Sequence, residues 1–305
     1  MSDRTITSVP GVSVGHHTDV PARTGVTVLT FPEPNQAIVD VRGGAPGTRE
    51  TDAFGPAIKP VTVNALVFSG GSAFGLAAAD GVMRELEREG RGAPTPAGPV
   101  PIVPAAIVFD LTSGGGGRRP GPDDGAAAYR NRDTEAVVSG AVGAGTGVTV
   151  GNWRGPDFVR RSGLGSAAIS VGDATVGALV VLNAAGDVFS LGGEPLTGGD
   201  PAAVSGPGVP VFGENTTLVC VATDAGIEDR NELRRCAVRA HDALGACIRP
   251  THTRYDGDAV FAVSFGDKGG DVDGVQQACF VAVGRAIEAA ISGVSRPGAD
   301  PKVDG

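Results

Sequence analysis

Residues 214–225 read Glu-Asn-Thr-Thr-Leu-Val-Cys-Val-Ala-Thr-Asp-Ala, or ENTTLVCVATDA. From Thr217 onward the run is continuously apolar or β-branched, which is the pattern of a strand buried on both faces. The 24 residues before it, 190–213, read SLGGEPLTGGDPAAVSGPGVPVFG. They are rich in Gly and Pro and have almost no periodicity. A loop of that length inside a compact domain is a functional or linker segment. A hydroxyl residue therefore stands where a loose linker meets a buried strand. An N-terminal nucleophile mechanism needs that arrangement. A Ser, Thr or Cys heads a strand, the chain is cut before it, and the freed α-amine, with a pKa near 8, serves as base for the adjacent hydroxyl. Asn215-Thr216 fits that description, although a Thr at a strand start is in itself ordinary.

Working outward, short β-type runs dominate, at 25–31, 37–41, 65–68, 102–109, 167–171, 175–182, 217–223 and 259–265. Most are bounded by Gly, Pro or Asp, as buried strands are. Helices are expected over 71–89, 123–135, 228–244 and 272–292. The 228–244 segment opens with a charged turn that favours a helix N-terminus, and 272–292 is strongly apolar on one face. This order of elements implies a layered α/β protein with helices on sheets, read as one domain over 1–305. Residues 112–125 (TSGGGGRRPGPDDG) read as a surface loop.

Composition narrows the function. The chain has 305 residues, 49 of them Gly, but no three-residue period, and 41% are hydrophobic, so it is neither collagen nor a low-complexity polymer. A net charge of −9 with 5% aromatics is a poor match to nucleic acid or an anionic membrane surface. Neither partner is expected. The N-terminus, MSDRTITSVPG, lacks the apolar core of a signal peptide. Cys220, Cys236, Cys247 and Cys279 match no zinc spacing and suit reduced thiols in a cytoplasmic protein. His16, His17, His241 and His252 show no ligand spacing, so no metal is expected, and His16-His17 reads as a turn. The Gly-Ser segment at 69–72 precedes a helix as a phosphate loop would, yet it lacks GxxxxGK[ST] and GxGxxG.

Several long blocks, in order, resemble the P1 family of peptidases, which contains the L-aminopeptidase/D-Ala-esterase-amidases, the β-aminopeptidases and the 6-aminohexanoate-oligomer hydrolases. They include ITSVPGVSVGHHTD (6–19), VDVRGGAPGTRETD (39–52), NALVFSGGSAFGLAAADGVM (64–83), RSGLGSA (161–167), NTTLVCVATDA (215–225) and IRPTHTRYDGDAVFAVS (248–264). The resemblance covers nearly the whole chain.

It implies a four-layer αββα sandwich resembling N-terminal nucleophile hydrolases, with the connectivity of the ornithine acetyltransferases. It also implies an autocleaving precursor, cut at Asn215–Thr216 into an α chain of 1–215 and a β chain of 216–305. Thr216 becomes nucleophile and base-bearing N-terminus. Asn183, which alone reads as a turn residue, would donate to the oxyanion. Asp256 and Asp258, which alone read as a turn before a strand, would orient the nucleophile and its amine. Ser69, Gly70, Gly71 and Ser72 would line the substrate cleft. Arg161 stands where relatives often carry Lys. An arginine stays charged where a lysine can be neutral, so it can replace a positive charge but not a proton shuttle. The implied activity is cofactor-free removal of N-terminal residues from short peptides, amides or esters, by a homo-oligomer, expected to be a tetramer of processed units. Two alternatives stay open: acyl transfer of the ornithine acetyltransferase type, and an unprocessed, non-catalytic homologue.

Overall fold

The strand that begins at Thr216 alternates its neighbours residue by residue. Leu218, Cys220 and Ala222 lie in one buried cluster, and Val219 and Val221 in another. Side chains two apart share a face of a strand, so this strand separates two cores, as a continuous apolar run implies. The computed structural model describes residues 4–55, 57–113, 117–200, 202, 206–207, 215–269 and 271–294.

In chain order the main elements are β1 (Ser13–Asp19), β2 (Thr24–Thr30), β3 (Gln36–Val41), β4 (Thr48–Arg49), β5 (Leu66–Ser69), α1 (Ala78–Arg88), β6 (Ala105–Ile107), α2 (Pro122–Arg130), β7 (Thr149–Val150), β8 (Arg160–Arg161), β9 (Leu164–Val171), β10 (Ala174–Asn183), β11 (Thr216–Ala225), α3 (Arg230–Cys247), β12 (Ala259–Lys268) and α4 (Val272–Val294). One sheet has the order β1-β2-β5-β6-β4 and the other β9-β10-β11-β12-β3. In the second sheet β10 and β11 are antiparallel, β11 and β12 parallel.

Three cores produce four layers. Val26, Val28 and Val67 of the first sheet pack on Ala78, Val82 and Leu86 of α1 and Tyr129 of α2. Leu29, Leu66 and Phe68 face across to Leu179, Leu218, Phe261 and Val263 of the second sheet. Val219, Val221 and Val260 back onto Leu233, Ala237 and Leu244 of α3 and Cys279, Val283 and Ile287 of α4. Burying one such side chain fully contributes about 1.5–3 kcal/mol. The Phe68 and Phe261 rings, with centroids 6.0 Å apart, hold the two sheets face to face.

Local chemistry sets the helix starts. Asp229 caps α3 by accepting from Asn231 N at 2.8 Å. Helix α4 has the length and hydropathy of a membrane span, yet Val275, Cys279, Val283 and Ile287 are buried in the core beneath the second sheet. Its close seat depends on Gly165, where a Cβ would lie 2.0 Å from Ala286 O. All four cysteines are buried thiols.

Several expectations change. The 71–89 segment is not one helix: Ser72–Ala77 forms a 3-10 stretch and α1 starts only at Ala78. Gly71 and Ser72 are left-handed, at φ +83° and +53°, and cannot continue an α-helix. The 123–135 helix begins earlier, at Pro122, and stops at Arg130, because Asp133 pairs with Val14 at the edge of β1. The 112–125 loop therefore yields its last residues to α2, while 114–116 lie outside the described residues. His16 and His17 sit inside β1 rather than in a turn. The 102–109 strand shrinks to Ala105–Ile107, since Pro101 and Pro104 cannot donate to a ladder. Of the 190–213 linker, 190–200 carries order of its own. Ser190 N donates to Glu194 O and Leu196 N to Val188 O, each at 2.8 Å. Most of 201–213 lies outside the described residues.

Candidate active site

The alternation that builds the cores also aims the site. Thr216 has the parity of Leu218 and Cys220, and Asn183 that of Val181 and Leu179, so both side chains belong to the inter-sheet face. Antiparallel register places Asn183 directly opposite Thr216. Both are buried, with Thr216 3% exposed. The Asn183 amide is held at both ends. Its Oδ1 accepts from Thr149 N at 3.0 Å, and its Nδ2 donates to Phe109 O at 3.2 Å.

On the other edge of β11 lies the turn that opens β12. Asn215 pairs with Asp256 in a parallel bridge, and Gly257 N donates to Asn215 O at 2.9 Å. The Thr216 hydroxyl donates to the same carbonyl oxygen at 2.5 Å. Only a glycine fits at 257, since a Cβ there would stand 2.7 Å from Thr216 Oγ1 and 2.8 Å from Ala45 O.

The two aspartates differ sharply although both are buried. Asp258 Oδ1 accepts from Thr217 N at 2.7 Å. Its Oδ2 lies 2.8 Å from His252 Nδ1 and accepts from His252 N and Thr251 Oγ1, each at 3.0 Å. Burial alone would raise its pKa, but these hydrogen bonds prevail and hold it below the usual carboxylate range. Asp256 accepts from Thr253 N at 2.9 Å, Thr253 Oγ1 at 2.5 Å and Ala185 N at 3.3 Å. Burial first, then the Asp258 charge, pushes it up to about 6. Neither carboxylate has a direct hydrogen bond to the Thr216 hydroxyl among the described residues. Asp258 reaches Thr216 only through the backbone of Thr217.

The remaining expected residues are placed less directly. Arg161 lies in β8 opposite Thr149, the residue whose N–H holds Asn183. The 69–72 segment runs beside 108–110. Gly71 N donates to Asp110 Oδ1 at 2.7 Å and Ser72 N to Val108 O at 3.0 Å. Phe109, between them, takes the Asn183 amide. Ser69, Gly70, Gly71 and Ser72 thus reach the centre through this loop. Sequence reading missed His252, Gly257 and Asn152. Asn152 Nδ2 donates to Asn215 Oδ1 at 2.9 Å. His252 reads in the sequence only as a histidine without ligand spacing, the Asp-Gly-Asp triplet marks Gly257 only as a turn, and nothing in GNWRG marks Asn152. Among the described residues, no group of three His, Cys, Asp or Glu is arranged to hold a metal ion.

This is a hydroxyl-headed strand between two sheets, opposed by an amide and flanked by a carboxylate pair, within an αββα sandwich. A hydroxyl, an amide donor and paired carboxylates are groups that amide hydrolysis uses. The profile of Peptidase family S58 matches residues 4–296, and the chain belongs to that family of hydrolases acting on peptide and amide bonds. An uncharacterized aminopeptidase of Mycobacterium tuberculosis is 41% identical over 292 residues, covering 86% of this chain and 81% of that protein. A 6-aminohexanoate-oligomer endohydrolase of Agromyces sp. (strain KY5R) is 30% identical over 276 residues, covering 84% and 73%. Among solved structures, the L-aminopeptidase D-Ala-esterase/amidase of Ochrobactrum anthropi, described as a variant of the Ntn hydrolase fold, superposes with a TM-score of 0.73 at 20% identity. It covers 95% of this chain and 86% of that one. A β-aminopeptidase of Burkholderia sp. gives 0.72 at 23%, again covering 95% and 86%.

Proposed function

We propose that this chain is a self-processing aminopeptidase that cuts its own Asn215–Thr216 bond and then uses Thr216 as nucleophile. The observation that carries the reading is the register of β10 and β11, which sets the Asn183 amide opposite the Thr216 hydroxyl at the head of a buried strand. In the processed enzyme the Thr216 α-amine, with a pKa near 8, takes the hydroxyl proton. The Thr216 Oγ1 attacks the substrate carbonyl, and the Asn183 amide donates to the developing oxyanion, a contribution of about 3–4 kcal/mol for one such donor. The amine product leaves with the proton, and water releases the acid from the acyl-enzyme.

The anchors of Asn183 at Thr149 N and Phe109 O fix its amide before substrate arrives. Such preorganisation makes an oxyanion donor effective. Asp258 secures the backbone at Thr217, Asp256 adds negative potential nearby, and Arg161 supplies a fixed positive charge beside Thr149. Burial of Thr216 in the intact chain argues that turnover follows processing, since freeing Asn215 removes a fully buried residue from beside it.

Substrates are short peptides, amides or esters with a free amine, for which the acidic chain has a modest attraction. The cleft is lined from the 69–72 side. The working form is a cytoplasmic homo-oligomer, a tetramer of processed units, with no cofactor. The test is N-terminal sequencing of the purified protein, together with hydrolysis of aminoacyl anilides. A second N-terminus beginning Thr-Thr-Leu-Val is expected, and Thr216→Ala abolishes it. Persistence of the intact wild-type chain, with no anilide hydrolysis, refutes the reading.

A further inference from the structure

The donor on the scissile carbonyl is not the group proposed for the substrate oxyanion. Gly257 lies on the β12 side of β11, and Asn183 on the β10 side. The Asn215 carbonyl oxygen turns toward the β12 side and receives Gly257 N–H at 2.9 Å, within the range of an oxyanion donor. Asn183, on the opposite edge of β11, is anchored there by Thr149 N on its Oδ1 and by its Nδ2 on Phe109 O.

The side chain before the scissile bond is also held. Asn215 is fully buried, and its Oδ1 receives Asn152 Nδ2 at 2.9 Å. Asn152 is itself fixed. It opens a 3-10 turn after Gly151, whose N donates to Gly186 O at 3.0 Å, and Trp153 N donates to Ala185 O at 2.8 Å. The same 184–186 segment touches Asp256 through Ala185 N. Asn152 and the 256–257 turn therefore grip Asn215 from a common base.

The geometry points to a self-cleavage site distinct from the substrate site, with Gly257 N–H as its oxyanion donor and Asn152 as a positioning residue that clamps the Asn215 side chain. The inference rests on the reading that the chain cuts itself at Asn215–Thr216. In the step, Thr216 Oγ1 forms a bond to the Asn215 carbonyl carbon, and the carbon–nitrogen bond breaks. The hydroxyl proton ends on the Thr216 nitrogen. Water then hydrolyses the resulting ester, leaving the Asn215 carboxylate and restoring the hydroxyl. Charge builds on Asn215 O at the transition state, where Gly257 N–H already points. Gly257 accommodates this because no side chain intrudes on Thr216 Oγ1. Asn152 acts once, since its partner departs with the α chain's end.

The test follows the conversion of freshly purified full-length chain into fragments, as a first-order rate on a denaturing gel. Asn152→Ala and Asn152→Leu are expected to cut about tenfold more slowly, the loss expected from one buried hydrogen bond. Asn152→Asp is expected to cut within about threefold of wild type, because the Asn215 amide can turn over and donate to it. Folding is checked on the uncut Thr216→Ala background, where adding Asn152→Ala should leave the unfolding midpoint in place. Wild-type cutting rates in Asn152→Ala and Asn152→Leu overturn the inference alone. So does a slowing that Asn152→Asp shares, or one matched by a drop in the midpoint. A wild-type chain that never cuts overturns the underlying reading and this one with it.

Discussion

Replacing Asp256 by Asn should make the protein more stable at pH 7.5 and not at pH 4. Asp256 is 1% exposed, and its carboxyl is pushed from 3.8 up to about 6, by burial and then by the Asp258 charge. A shift of about two units is worth on the order of 3 kcal/mol. Because the folded value is raised, the stability that Asp256 contributes is complete below its unfolded value near 3.8 and is lost as pH rises through about 6. Asparagine has no proton to lose. Its carbonyl can keep the bonds from Thr253 N and Thr253 Oγ1, while its amide faces Ala185 N and forfeits the 3.3 Å contact. That forfeit costs about 1 kcal/mol. The net expectation is a gain of about 2 kcal/mol at pH 7.5 and a loss of about 1 kcal/mol at pH 4. Urea unfolding on a Thr216→Ala background measures it, since that chain stays whole whether or not the wild type cuts itself. A destabilised Asp256→Asn at pH 7.5, or the same difference at both pH values, refutes the reasoning.

The partner carboxylate should behave in the opposite way. Asp258→Asn sets an amide among Thr251 Oγ1, His252 N and His252 Nδ1, or against Thr217 N, so a fixed backbone donor loses its acceptor. A loss of about 3 kcal/mol at pH 7.5 is expected in the same unfolding assay, shrinking as acid protonates the wild-type carboxyl. Asn183→Ala should lower kcat for an aminoacyl anilide by about 10²–10³-fold, since one oxyanion donor is removed. An effect confined to KM would move Asn183 from the transition state to substrate binding.

Much of this architecture can be read from local pattern. The apolar run of β11 marks a strand buried on both sides, because neighbouring residues of a strand face opposite ways and both faces here meet other layers. The charged opening of α3 and the apolar face of α4 are similarly legible. Helix boundaries near 71–77 are not, since Ser72 adopts a left-handed conformation that no Ser announces. The His16-His17 pair looks like a turn only until pairing with β2 makes it a strand.

At the centre, the division is sharper. The hydroxyl at the junction of linker and strand, the Asp-Gly-Asp triplet and the resemblance of long blocks point to Thr216 and its acidic neighbours from sequence alone. Which atom serves which neighbour was decided by tertiary structure. Asn183 meets Thr216 only through antiparallel register, Gly257 meets Asn215 only through the parallel pairing of β11 with β12, and Asn152 reaches Asn215 from 63 residues away. The two aspartates share a residue type and a turn, yet their pKa values move in opposite directions because their donors come from different parts of the fold. A sequence fixes which groups are available and which face of an element they occupy. Distances between segments far apart in the chain, and hence hydrogen bonds and burial, arise only when the layers pack.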